Sequence, residues 1–361
     1  MTTTTAVATS TMQAAVLYGK EDVRLESVAV PDIGPGELLV RVRAALTCGT
    51  DVKVFRRGYH AKMIRPPALF GHEMAGDIVA TGDGVVGFHA GQRIAAANSA
   101  PCEECFFCRR NQTNLCEDLL FNNGAYAEFI RIPERIVRKN TYVIPGHLGY
   151  RDAALVEPLA CALRGLDESG LKPGDTVGII GLGPIGLMLV RLARWAFEAR
   201  VIAIARRLEQ VEKAVMLGAA DGLLLSKDSA LNEQPALVAA MKSRTGGRGA
   251  DVMIEAVGHP QSWELATKLV RKGGTINFFG GCPSGTRVAL DTALLHYSEI
   301  TCKASFHHTP AHIRRSLDLV SEGKVTAAHV VNDEEPLSEL PRILHDLAHR
   351  PNGHIKTAII P

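Results

Sequence analysis

The sequence has almost no surplus of charge: Lys and Arg number 40 against 38 Asp and Glu, a formal net charge of +2. The broad basic surface of a nucleic-acid or anionic-membrane binder is thereby excluded at the level of the whole chain. No apolar run is long enough to span a bilayer either. The longest charge-free apolar stretch, Thr176–Val190, stops at Arg191 and is broken by Gly178, Gly181, Gly183, Pro184 and Gly186. It falls short of the ~20 residues that a spanning helix needs. Residues 1–11 are rich in Thr and Ala and lack the basic and apolar segments of a signal peptide, so they read as a disordered leader. The expected compartment is the cytoplasm, where thiols stay reduced.

What is present is ordinary material for a folded protein. Hydrophobic residues make up 46% and charged residues 22%, too apolar a mixture for a disordered chain. A length of 361 residues suggests two domains. Short strand-like runs (14–17, 38–45, 76–80, 93–97, 127–132 and 141–144), punctuated by Gly and Pro clusters, predict a β-rich, barrel-like first part with no long helix before Arg151. After Asp152 strands and helices alternate, which predicts βαβ units and a parallel sheet. The expected division is a first domain over 12–157, a second over 158–296, and a tail over 297–361 that returns to the first.

Four of the eight cysteines, Cys102, Cys105, Cys108 and Cys116, fall within one loop. The spacing Cys-x2-Cys-x2-Cys-x7-Cys suits a closed four-thiolate zinc site, which is structural because no coordination position is left for water. Disulfides and an iron–sulfur cluster are the competing readings. The loop around them, residues 99–118, is expected to form a lobe of the first domain.

Three further segments carry metal-ligand chemistry: Cys48-Gly49-Thr50-Asp51, Gly71-His72-Glu73 and Val156-Glu157-Pro158. Cys, His and Glu all bind Zn²⁺, and a catalytic zinc needs three protein ligands and one open position. Such a zinc is a Lewis acid that stabilises an alkoxide and eases hydride departure. Thr50, two residues after Cys48, is placed to carry the substrate proton away. Spacing alone leaves open a buried core thiol at Cys48 and a satisfied core imidazole at His72.

Gly181-Leu182-Gly183-Pro184-Ile185-Gly186 follows the apolar strand Thr176–Ile180 and opens a helix. A G-x-G-x-x-G in that setting binds a dinucleotide pyrophosphate at the helix N-terminus. The next strand ends at Ala205, where an acidic residue would grip a ribose 2′-hydroxyl, and Arg206 and Arg207 follow. Two guanidinium groups suit a 2′-phosphate, which favours NADP over NAD. Glu209 remains a possible partner of an unphosphorylated ribose.

In this order, the motifs resemble those of the zinc-dependent medium-chain alcohol and polyol dehydrogenases, and in particular the sorbitol (L-iditol) and threonine dehydrogenase branch. The resemblance runs from Met12 to Pro361, with Glu157 standing where the alcohol dehydrogenases carry a cysteine. It implies a chaperonin-10-like β-rich catalytic domain and a Rossmann doubly wound cofactor domain. It implies two zinc ions per chain: a catalytic one on Cys48 and His72 with Glu73 or Glu157, and a structural one on the four clustered cysteines. It also implies a small-molecule alcohol or polyol substrate and a homotetramer or homodimer. Thr50 matches the family's proton-relay hydroxyl. Lys53 stands where the branch has a histidine, with Tyr59 and His60 close in sequence. Phe55, Tyr59, Phe121 and residues 305–308 are candidate pocket residues, and Arg56, Arg57 and Arg65 candidate anion readers. A zinc-independent quinone or enone reductase on the same scaffold is the alternative enzyme, and a non-enzymatic zinc module the alternative outside catalysis.

Overall fold

The strand Leu38–Leu46 shows how the first part folds: Val40, Val42 and Ala44 point inward while Arg41 and Arg43 point to solvent. One apolar face per strand requires a second layer to cover it. In the computed structural model, which describes residues 10–60, 62–349 and 356–361, that strand is central to a seven-stranded sheet. Thr141–Val143, Arg93–Ala96 and Met74–Thr81 continue from one side of it, and Thr357–Ile360 and Asp333–Pro336 from the other. Phe129–Ile132 also pairs with it. The chain's final strand therefore lies beside one of its first, with Ala358 opposite Leu46 and Ile359 opposite Ala45. Most of the expected leader lies outside the described residues, but Thr11 opens the strand Thr11–Gly19.

The chain divides into two compact units, Met1–Ala160 with His308–Pro361, and Cys161–His307. The first is built on a core that includes Leu17, Val40, Phe70, Ile78, Tyr126 and Leu344. The second is a six-stranded parallel sheet. Its strand order is Asp221–Leu224, Arg200–Ala205, Thr176–Ile180, Ala250–Glu255, Val270–Phe278 and Thr301–Ala304. The order steps outward from Thr176–Ile180 in both directions, which is the doubly wound Rossmann arrangement. Ile180, Ile202, Met253 and Ile276 are among its core residues.

Two differences from the sequence pattern bear on the site. The helix Gly49–Arg57 forms where no helix is predicted. Its first half, Gly49 to Val54, holds Gly, Asp and three β-branched residues, all weak helix formers, but a reciprocal cap between Cys48 and Asp51 starts it and Gly58, at φ 87°, ends it. Thr301–Ala304, whose residues the pattern groups with the returning tail, pairs with Val270–Phe278 at the edge of the second unit's sheet.

Candidate functional site

Cys48 sits at the N-terminus of that helix. Its sulfur accepts the Thr50 amide at 3.4 Å, and its own amide donates to Asp51 Oδ2 at 3.2 Å. His72 and Glu73 lead into the strand Met74–Thr81, where Leu46 N donates to the Glu73 carbonyl at 3.1 Å. Gly71 turns at φ 88°, and a Cβ there would lie 2.5 Å from the Tyr126 ring. Glycine is what lets the chain pass Tyr126 and bring His72 towards Cys48. One ligand atom each from Cys48, His72 and Glu73 falls within 4.8 Å of the other two.

Asp51 orients the imidazole. Its Oδ1 lies 2.9 Å from His72 Nδ1, and its Oδ2 accepts the Tyr126 hydroxyl at 2.6 Å. With Nδ1 on a carboxylate, Nε2 is the nitrogen available to a metal. Burial pulls the His72 imidazole down, but Asp51, and after it Cys48, outweigh burial and hold it well above the ordinary histidine range. A buried imidazole biased towards its cation, beside a thiol and several carboxylates, marks a site that attracts positive charge.

Glu73 is fully buried and faces the equally buried Lys356, whose Nζ is 2.5 Å from Glu73 Oε2. That ion pair takes up Oε2, while Oε1 has no hydrogen-bond partner. Burial pushes the Glu73 carboxyl up, against the pull of Lys356. An oxygen with unused acceptor capacity beside Cys48 and His72 fits a metal ligand. Glu157 is buried in the first turn of the helix Val156–Glu168 and stands outside the 4.8 Å set. Burial pushes it up to about 7, opposed by His72 and reinforced by Glu73. His308 Nε2 lies 3.6 Å from Glu157 Oε1 and 3.1 Å from Asn98 Oδ1.

Asp51→Asn removes one of the two anionic oxygens that hold His72, Tyr126 and the Cys48 amide together. The expected result is a metal affinity at this set lower by about 10- to 100-fold. Competition of the variant with a colorimetric chelator measures it.

The other sequence candidates are scattered. Thr50 is half-buried in the first turn of Gly49–Arg57, and Lys53, three residues on, is exposed. Phe55 is core. His60 Nδ1 accepts the Lys62 and Met63 amides and closes its own loop, while Tyr59 is exposed. Arg56, Arg57 and Arg65 are exposed, and Phe121 pairs with Ser99 in a short strand. Asp51, Tyr126 and Lys356 have no assigned role in the sequence reading. Only a lone lysine entering the apolar Thr357–Ile360 strand hinted at Lys356.

The four clustered cysteines converge. Sγ–Sγ distances are 3.4 Å for Cys102–Cys116 and 3.9 Å for both Cys102–Cys108 and Cys105–Cys116. A zinc tetrahedron with Zn–S of about 2.3 Å has edges of about 3.8 Å. All eight cysteines are free, so the disulfide reading fails. Backbone amides of Glu117 and Cys108 pull the Cys105 thiol down to about 6, while burial pushes Cys108 up to about 12. This set can hold a structural zinc.

In the second unit, Gly181 N donates to Ile204 O at 2.9 Å and Gly183 caps the helix Pro184–Trp195, with Pro184 and Ile185 in its first turn. A Cβ on Gly186 would lie 1.9 Å from Gly181 O, so glycine alone lets helix and loop pack. The two arginines diverge. Arg207 pairs with Glu209 at 3.3 Å. Arg206 lines a recess of about 180 Å³ with Ser226, Lys227, Ser229 and Leu231. Two cations and two hydroxyls suit a phosphate monoester.

Comparison with known proteins follows the same division. A family model for the alcohol dehydrogenase GroES-like domain matches residues 34–142, and one for zinc-binding dehydrogenases matches residues 184–322. Sorbitol dehydrogenase of Bacillus subtilis (strain 168) is 30% identical over 97% of this chain and 97% of its own. Erythritol/L-threitol dehydrogenase of Mycolicibacterium smegmatis is 30% identical over 97% and 98%. A protein from Sinorhizobium meliloti 1021 described as a zinc-binding dehydrogenase, solved bound to NADP, superposes with a TM-score of 0.87 at 31% identity, covering 98% of this chain and 100% of that one. These relatives support alcohol or polyol oxidoreduction over the enone-reductase alternative. Among the described residues, no helix is long and apolar enough to cross a membrane.

Proposed function

The chain belongs to the zinc-dependent medium-chain alcohol and polyol dehydrogenase family, and on that premise we propose that it oxidises a secondary hydroxyl of a polyol, reversibly, with NADP as the preferred hydride partner. The observation that carries this reading is the Cys48–His72–Glu73 set, in which His72 and Glu73 are buried and Glu73 Oε1 is an unused acceptor. We assign a catalytic zinc to these three residues and a structural zinc to Cys102, Cys105, Cys108 and Cys116. Zinc, when bound, supplies a Lewis acid for the substrate oxygen.

The chain's own residues do the rest. Three protein ligands leave a fourth position for substrate. Thr50, two positions beyond the Cys48 cap, takes the hydroxyl proton, and Lys53 stands on the same helix face, open to solvent. Glu157, buried and near neutral in its titration, is the remaining acceptor beside the metal set. Asp51 and Tyr126 keep the imidazole in one orientation.

The test is an initial-rate screen of C4–C6 polyols, secondary alcohols and L-threonine with NADP⁺ and NAD⁺, alongside metal analysis. The expected result is two zinc ions per chain and polyol oxidation that a chelator abolishes. One zinc per chain, with rates indifferent to chelator, would return the enone-reductase reading.

The Arg206 recess makes cofactor choice testable on its own. Arg206→Ala or Lys227→Ala each removes a charged hydrogen-bond donor, worth about 1.5 kcal/mol or more. Each is expected to lower kcat/KM for NADP⁺ by about tenfold or more. The value for NAD⁺ stays unchanged. Calorimetric binding of 2′,5′-ADP against 5′-AMP gives the same comparison without turnover.

A further inference from the structure

Lys356 is the least expected member of the metal set. It is a fully charged side chain with 2% exposure, and it arrives from the far end of the chain. Its position is fixed by backbone pairing. Thr47, the residue before Cys48, donates its amide to Thr357 O at 3.0 Å. Thr357 N donates to Thr47 Oγ1 at 2.9 Å. Lys356 Nζ then donates to Thr47 O at 2.6 Å and pairs with Glu73. The same contacts that fix the cysteine loop thus set a buried ammonium behind Glu73.

Burying a lysine is costly unless its charge is matched. The cost makes sense if the ammonium acts on the metal site. A carboxylate with two free oxygens would be able to chelate a bound zinc ion through both, which would fill the position a substrate needs. A cation held against one oxygen lowers the donor strength of Glu73 and leaves it one oxygen to give.

We propose that Lys356 is a positioning residue that shares the Glu73 carboxylate with the metal, keeps it monodentate, and so holds the fourth coordination position open. The inference rests on the reading of Cys48, His72 and Glu73 as a metal site.

The test uses the full-length enzyme loaded with Co²⁺, whose visible absorption reports coordination number. Lys356→Gln keeps an N–H donor and removes the charge, and Lys356→Met removes both. In the wild type, added imidazole is expected to shift the cobalt bands. In both variants the bands are expected to indicate added carboxylate ligation and to ignore imidazole. Release of Zn²⁺ to a chelator is expected to slow by about tenfold, and kcat/KM to fall by about 10- to 100-fold. Lys356→Arg is expected to restore imidazole access. If Lys356→Met does not fold, Lys356→Gln carries the test. Faster metal release from Lys356→Gln, or cobalt bands that still shift with imidazole, overturns the proposal. A wild type that takes up one metal ion per chain instead of two overturns the metal-site reading itself.

Discussion

Replacing His72 with Asn is expected to cut turnover by about three orders of magnitude or more while both units stay folded. His72 contributes the nitrogen of the Cys48–His72–Glu73 set, and Asn cannot place a comparable donor at the same distance. Losing it withdraws a Lewis acid worth several kcal/mol of charge stabilisation. At about 1.4 kcal/mol per tenfold, about 4 kcal/mol is a thousandfold in rate. The structural cost is smaller. The Asn amide still donates to Asp51, which keeps its bonds from the Tyr126 hydroxyl and the Cys48 amide. Leu46 N still donates to the Glu73 carbonyl. Initial rates, zinc content and circular dichroism read the three parts separately. The expected pattern is lost rate, one zinc in place of two, and an unchanged spectrum. Lost rate with two zinc ions retained would show that His72 is not a ligand.

The parts of this site that were legible in the sequence are those in which chemistry and chain position coincide. Cys48, His72 and Glu73 stand in short motifs and the four cysteines lie in one loop, so residue type and spacing carry the signal. The strand and helix that flank Gly181–Gly186 lie where the pattern puts them, which is the context a dinucleotide fingerprint needs. The support around the metal set was not legible. Asp51 and Tyr126 act through a hydrogen bond across 75 positions, and Lys356 through one across 309. No local pattern encodes a contact of that range. The two arginines show the same limit on a smaller scale: the sequence pairs Arg206 and Arg207 as one anion site. The structure gives Arg207 to Glu209 and instead sets Arg206 with Lys227, on the loop after the neighbouring strand.

The fold followed the same rule. Strands with a clean inward and outward alternation, such as Leu38–Leu46, were readable. The helix Gly49–Arg57 was not, because its stability comes from its caps and from packing of Val54 and Phe55 into the core, both of which override a weak propensity. That helix matters most to function, since Cys48 caps it and its first turn holds Thr50.

Replacing Cys108 with Ser is expected to unfold the 99–118 lobe and lower the thermal midpoint of the first unit by about 10 °C or more. The lobe has almost no apolar core. Between residues 101 and 118 the buried side chains are Pro101, Cys108, Asn114 and Cys116, while Phe106 and Leu115 are exposed. Its backbone order is a two-residue strand pair, Ser99–Ala100 with Leu120–Phe121, a single helical turn at Phe106–Arg109 and one 3-10 turn at Thr113–Leu115. Ties to the rest of the unit are polar: Asn140 Nδ2 donates to Ser99 O at 2.7 Å, Lys139 pairs with Glu103, and Arg135 pairs with Asp118 at 2.8 Å. The two ion pairs, whose carboxylates are exposed, contribute little. Short segments without a core are held by metal or disulfide, and the disulfide is absent. Loss of a structural metal is among the few single changes that cost about 4 kcal/mol or more. For a unit of this size that is about 10 °C. Calorimetry with metal analysis is the measurement, and the zinc that remains should be the one His72→Asn removes. A midpoint within about 2 °C of the wild type would mean that the lobe does not depend on an ion shared by the four sulfurs. Their mutual contacts at 3.4–3.9 Å make that outcome physically poor, since four thiols packed that closely gain little from one another and much from a shared cation.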